Sequence, residues 1–110
     1  MDKNSHSFLS DETTQNVSSI FKALADPTRL RILYLLSQEE CSVSHISEVL
    51  SLSQSAISHQ LSFLRNLRLV KFRRSANTLY YSCDDEHVIS LLIQAIEHAE
   101  CDHRKGGEHA

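Results

Sequence analysis

Two imidazoles, a thiol and adjacent carboxylates stand close together in the last third of the chain, in "CDDEHVISLLIQAIEHAEC". Asp84 and Asp85 precede His87, and eleven residues on His98 is followed after three positions by Cys101. These are the donor types that hold zinc and related divalent ions. On a helix, His87, Leu91, Gln94, His98 and Cys101 fall within a stripe of about 80°. Val88, Leu92, Ala95, Ile96 and Ala99 form a broad apolar face beside it. The two histidines lie about 16 Å apart along the axis, whereas the donors of one zinc ion sit about 2 Å from it. One chain therefore cannot close a site with both. Two copies packed antiparallel about a twofold axis can: His87 of one meets His98 of the other, with Asp84 or Asp85 from the first chain and Cys101 from the second. Two symmetric four-donor sites result. The plain alternative is a pair of solvated surface histidines.

A second constellation lies upstream. From Val49 to Cys83 there is no Asp or Glu, yet Arg65, Arg68, Lys71, Arg73 and Arg74 fall there, although the whole chain carries a net charge of -3. A basic surface on an acidic body suits a polyanion, although charge alone fits a solvated basic face as well. The same stretch holds Gln54, Ser55, Ser58, His59 and Ser62 on one helical face with Ser53 at its start, short polar groups that can reach base edges and phosphates, although a serine-rich face fits a solvated one as well.

These residues need elements to position them. Ser10 with Asp11 and Glu12 opens a first helix, whose stripe is Val17, Ile20, Phe21 and Leu24. Asp26 before Pro27 is a capping side chain ahead of proline at the first helical position. The helix it opens runs to about Gln38 and is apolar nearly all round apart from Arg29 and Arg31, hence central and buried. Ile46, Val49 and Leu50 predict a third helix, Ser51 to Ser53 a short turn, and Ile57, Leu61 and Leu64 a fourth helix capped by Ser53. Leu52 and Ile57 are placed as a hydrophobic staple. This is helix-turn-helix spacing. "LVKFRR" and "TLYYS" then alternate as two strands around the tip "RSAN". Helix-turn-helix followed by a basic hairpin is a winged helix, with Arg73, Arg74 and Asn77 of the wing facing DNA backbone or minor groove. Residues 84–101 form the last helix.

The 110 residues, 41% apolar and 23% charged, suit one folded domain with a modest core that a second copy would enlarge. The expected organisation is a flexible tail over 1–9, a DNA-binding and dimerisation domain over 10–101, and a flexible tail over 102–110. The fold class is α+β, mainly helical: five helices and a hairpin wing, homodimeric through the first and last helices. Val17, Ile20, Leu91, Leu92, Ala95 and Ile96 are the expected interface positions. No apolar run reaches membrane-spanning length and no signal-peptide core opens the chain, so a cytoplasmic protein is expected. The odd set Cys41, Cys83 and Cys101 lacks CxxC spacing and argues against a disulfide framework. Cys41 and Cys83 read as packing residues, and His6, His45 and His109 as surface residues.

"FKALADPTRLRIL", "LSQSAISHQLSFLRNLRLV" and "YYSCDDEHV" resemble the ArsR/SmtB family of bacterial metal-sensing repressors, and the likeness runs from Val17 to Cys101. Within it the chain is most similar to zinc and cobalt sensors with a site on the last helix. The resemblance implies Asp85, His87 and His98 as metal ligands. The family's fourth position falls on Cys101, a departure that leaves Glu100 and His103 as alternatives; a thiolate there favours zinc or cadmium over cobalt or nickel. The family's other site, thiolates at the start of the third helix, is replaced by Ser42 and Ser44. The implied function is a repressor, not an enzyme: a metal-free homodimer on an imperfectly palindromic operator, released by zinc or a similar ion to derepress efflux genes. The rival is a thiol sensor using its cysteines in place of metal.

Overall fold

The computed structural model describes residues 7–109, with side chains described as far as Cys101. Five helices and three strands follow in the order α1 (Asp11–Leu24), α2 (Pro27–Gln38), β1 (Cys41–Ser42), α3 (Val43–Leu50), α4 (Gln54–Asn66), β2 (Val70–Ser75), β3 (Thr78–Cys83) and α5 (Glu86–His109). The expected tails fall largely outside the described residues.

Local chemistry sets the boundaries. Ser10, Asp26, Ser42 and Ser53 each stand in extended conformation before a helix, and each side chain accepts a backbone N–H of the first turn, from Thr13, Arg29, His45 and Ala56 respectively. The α3–α4 turn reverses through Ser51, left-handed at φ 56° and ψ 45°. Leu52 N–H then reaches back to the Ser47 carbonyl at 3.1 Å, and the Ser47 hydroxyl bonds the Leu52 carbonyl. These bonds take up polar groups that the end of α3 leaves open. At the end of α4, Arg68 is left-handed (φ 62°) and Leu69 N–H donates to the Leu64 carbonyl at 3.0 Å, which stops the helix and delivers Val70 into β2.

The core gathers around α2 and α4. Ile32 and Leu33 of α2, Ile46 of α3, and Ile57, Leu61 and Leu64 of α4 are fully buried. The last three recur at i, i+4 and i+7, so one face of α4 is fixed in the interior and the opposite face is held outward. Two expectations are corrected. Val49 is 50% exposed, because Ile46 and Leu50, a full turn apart, carry the inward face of α3. Tyr34, on a helix expected to be central and buried, is also exposed.

The sheet has a third strand that alternation did not reveal. β1 pairs antiparallel with β3, Cys41 opposite Tyr81 and Ser42 opposite Tyr80, giving the order β1-β3-β2. The β2–β3 hairpin keeps register from Val70 opposite Cys83 to Ser75 opposite Thr78, and its tip turns through Ala76 at φ 54°. Phe72 and Tyr81 face each other at 5.5 Å between ring centres, and the Arg65 guanidinium lies over Phe72 at 4.4 Å, so the wing is braced against α4. Among the described residues, no helix is long and apolar enough to cross a membrane.

Candidate nucleic-acid interface and metal centre

The face of α4 opposite its buried stripe presents Gln54, Ser55, Ser58, His59 and Ser62, all exposed. Ser53 is exposed too, but its oxygen is occupied as the cap, accepting Ala56 N–H at 3.1 Å. A groove of about 530 Å³ runs between this face and the wing, lined by Gln54 and Ser58 of α4, by Asn77, Thr78 and Tyr80 of the hairpin, and by Ser42 and Ser44. One hairpin residue, Asn77, and two α4 residues, Gln54 and Ser58, all expected to touch DNA, are thus brought to one concavity. Arg74 is exposed on the hairpin.

Arg73 differs from expectation. Its Nε and Nη2 donate to the two carboxylate oxygens of Glu40 at 2.8 and 2.7 Å, and its guanidinium lies near the Tyr80 ring at 5.1 Å. The fork-to-fork pairing holds the Glu40 carboxyl below the usual carboxylate range and lifts Arg73 further above its own. Arg73 is therefore engaged within the chain. Its partner lies 33 residues upstream, a distance that no sequence pattern bridges.

On α2, Arg29 donates to the Gln60 side chain at 2.9 Å and lies 3.8 Å over the Phe63 ring. It fastens α4 to the centre of the fold, a role that the sequence signals did not reveal.

At the start of α5 the two acids separate. Asp84 N–H donates to the Leu69 carbonyl at 3.0 Å, which ties that residue to the root of the wing. The Asp85 carboxylate caps α5, its Oδ1 accepting from the backbone N–H of His87 at 2.7 Å and of Val88 at 3.2 Å. Those two bonds depress its pKa, the Val88 bond most, so it is ionised at neutral pH. The same oxygen lies 3.3 Å from His87 Nδ1. Being the cap, Asp85 stands off the helical wheel, which is why it reaches His87 although Asp84 sits nearer the stripe on a regular helix. The His87 side chain is 98% exposed. His98 and Glu100 are exposed and Cys101 is half-buried, while the His103 side chain lies outside those described. An anionic oxygen beside an imidazole, with another imidazole and a thiol further along the same helix, is a donor set that suits zinc or a neighbouring divalent ion.

The expected interface positions divide. Val17 is 38% and Leu91 45% exposed, as is Phe21 at 53%. Ala95 is exposed, and Ile20 and Ile96 are half-buried against the core. Leu92, at 2%, is taken up by the chain's own core and has no surface left for a second copy. Phe21, Leu24, Leu30, Leu91 and Ala95 border an apolar groove of about 560 Å³ between α1, α2 and α5.

The thiols are free. Burial pushes Cys83 up to about 11, and burial together with Glu39 and Glu40 raises Cys41. Both are protonated at neutral pH and poor nucleophiles. His45 is exposed, as a surface residue should be, and its Nε2 lies 3.6 Å from a Glu39 carboxylate oxygen.

With this geometry in hand, comparison with known proteins is decisive. Residues 26–71 match the bacterial regulatory protein, arsR family. A transcriptional repressor SmtB homolog of Synechocystis sp. is 40% identical over 92 residues, covering 84% of this chain and 70% of the relative. The chain belongs to the arsR family. A cadmium resistance transcriptional regulatory protein CadC homolog of Staphylococcus aureus is 40% identical over 91 residues, 82% of this chain and 75% of that protein. The solution structure of the homodimeric winged helix-turn-helix DNA-binding domain Mb0332 from Mycobacterium bovis superposes with a TM-score of 0.75 at 31% identity, covering 86% of this chain and 91% of that one. Family membership makes this a regulator of transcription rather than an enzyme, and its fold a winged helix-turn-helix.

Proposed function

We propose that the chain is a homodimeric repressor whose metal-free form binds an imperfectly palindromic operator and which leaves DNA when zinc, or a similar divalent ion, is held between the last helices. The observation that carries this reading is the ionised Asp85 cap beside a fully exposed His87, on the border of an uncovered apolar face that includes Leu91 and Phe21. That face is the kind of surface a second copy covers. With two α5 helices antiparallel, Asp85 and His87 of one chain and His98 and Cys101 of the other would hold the ion.

In the DNA-binding state, Gln54, Ser55, Ser58 and His59 of two α4 helices enter successive major grooves about 34 Å apart. Ser53, Arg74 and Asn77 contact the backbone or minor groove, and Arg73 joins them on leaving Glu40. Bridging the subunits at four donors favours one arrangement of the two reading heads over others, and release follows if that arrangement does not match the operator. A hundredfold loss of DNA affinity needs about 2.7 kcal/mol of coupling, and DNA must weaken metal binding by the same factor. Efflux genes are the expected targets and the cytoplasm the expected location.

The test is zinc titration against the DNA upstream of the chain's own gene, followed by fluorescence anisotropy. The unmodified chain loses DNA affinity as zinc is added; His87→Ala binds DNA as before and ignores zinc. A zinc response that survives His87→Ala overturns the reading, and a response to oxidant in its place favours the thiol alternative.

A further inference from the structure

We propose that Glu39, Cys41 and His45 form a second metal site, complete within one chain and suited to zinc or cadmium. One donor atom from each residue lies within 4.8 Å of the others. Zinc bonds of about 2.0–2.3 Å at tetrahedral angles set donors roughly 3.3–3.8 Å apart, so closing the site takes small side-chain rotations. His45 Nε2 and Glu39 Oε2 are already 3.6 Å apart.

The local fold creates this convergence. Glu39 is extended beyond the end of α2, Cys41 opens β1, and Ser42 caps α3 by accepting His45 N–H at 3.1 Å. A strand residue and a residue of the first helical turn are thereby folded toward the Glu39 carboxylate. Glu39 and His45 are exposed above a buried thiol, so ion and solvent reach the site from one side. The Glu40 carboxylate is committed to Arg73 and leaves the fourth position to water. An imidazole nitrogen, a sulfur and a carboxylate oxygen on one point match a borderline to soft divalent cation better than magnesium or calcium, which select oxygen. Binding releases the thiol proton, and the cation's charge makes the thiolate the stable form. The Cys41 thiol, which donates toward the Glu39 carbonyl at 3.6 Å, turns to the ion when its proton is released.

The site sits where the wing joins the helix-turn-helix: Cys41 and Ser42 pair with Tyr81 and Tyr80 of β3, and Ser42 starts α3. It uses no residue of α5 and needs no second copy, so it stands or falls separately from the proposed inter-subunit site.

Cobalt titration of the full chain carrying His87→Ala, His98→Ala and Cys101→Ser tests it, since those substitutions remove the α5 donors. The expected result is one cobalt per chain with thiolate-to-cobalt charge-transfer absorption, displaced by zinc. Adding Cys41→Ser removes that absorption. Adding His45→Ala or Glu39→Gln, at exposed positions outside the core, weakens binding by more than the ten- to hundredfold typical of outer-shell partners. Absence of stoichiometric cobalt, charge transfer that persists with Cys41→Ser, or affinity unmoved by His45→Ala overturns the proposal. Should Cys41→Ser fail to fold by circular dichroism, the two surface variants decide it.

Discussion

Replacing Leu91 by alanine tests whether the open face of α5 is a subunit interface. Leu91 is 45% exposed in the single chain. Complete burial of a leucine side chain contributes about 1.5–3 kcal/mol, so roughly half, about 0.7–1.4 kcal/mol, is left to gain when a second copy covers it. A twofold axis counts the residue twice, and Leu91→Ala therefore removes about 1.5–3 kcal/mol from association. That weakens the dimer roughly ten- to a hundredfold. Sedimentation equilibrium over a concentration series measures it, and circular dichroism of the dilute monomer checks that the fold is unchanged. Leu92→Ala is the contrast: at 2% exposure it leaves a cavity in the chain's own core, costing about 2–5 kcal/mol of folding stability. An unchanged dimer constant for Leu91→Ala would show that α5 meets its partner, if at all, by another face.

Glu40→Gln frees the Arg73 guanidinium and removes a negative charge beside the wing; DNA affinity should rise and its salt dependence steepen by about one phosphate contact, whereas unchanged salt dependence would mean that Arg73 faces no phosphate. Asp85 has a folded pKa below its ordinary value near 3.8, so its ionised form stabilises the fold above that value and the contribution is lost as pH falls through the lower folded pKa. The stability difference between the unmodified chain and Asp85→Asn should accordingly be present at neutral pH and vanish in strong acid, as urea melts across pH would reveal. Cys83, pushed up to about 11 and donating toward the Leu33 carbonyl at 3.6 Å, should resist thiol reagents at neutral pH and react only as the pH nears that value; rapid neutral labelling traced to Cys83 would contradict the buried thiol.

Signals that act within one turn were legible in the sequence. Ser10, Asp26 and Ser53 mark helix starts because a cap needs only its own side chain and the next few N–H groups. The α4 stripe of Ile57, Leu61 and Leu64 declares its inward face by spacing alone, which also fixes Gln54, Ser55, Ser58 and His59 outward. Contacts between distant segments were not legible. Strand β1 is two residues long, too short for alternation, and exists because β3 offers it partners. The Glu40–Arg73 pair spans 33 residues, so Arg73 read as a free cation. His45 read as solitary because its partners lie across a strand-to-helix reversal, where neither helical nor strand periodicity applies. Leu92 shares an apolar face with Ala95, and periodicity cannot say which part of a wide face the chain's own core consumes.

The central claim, that His87 and His98 serve one ion only across two chains, is tested most directly by mixing variants. Chains carrying His87→Ala and chains carrying His98→Ala are each titrated with zinc, then denatured, mixed in equal amounts, refolded and titrated again, with His45→Ala in every chain so that only α5 sites count. Each variant alone should lack the tight α5 site. In the mixture, random pairing makes half the dimers mixed, and each mixed dimer joins an intact His87 to an intact His98 once. About a quarter of the unmodified number of tight sites should return. If mixing restores none, the two histidines do not share an ion between subunits, and the proposed sensing geometry is wrong.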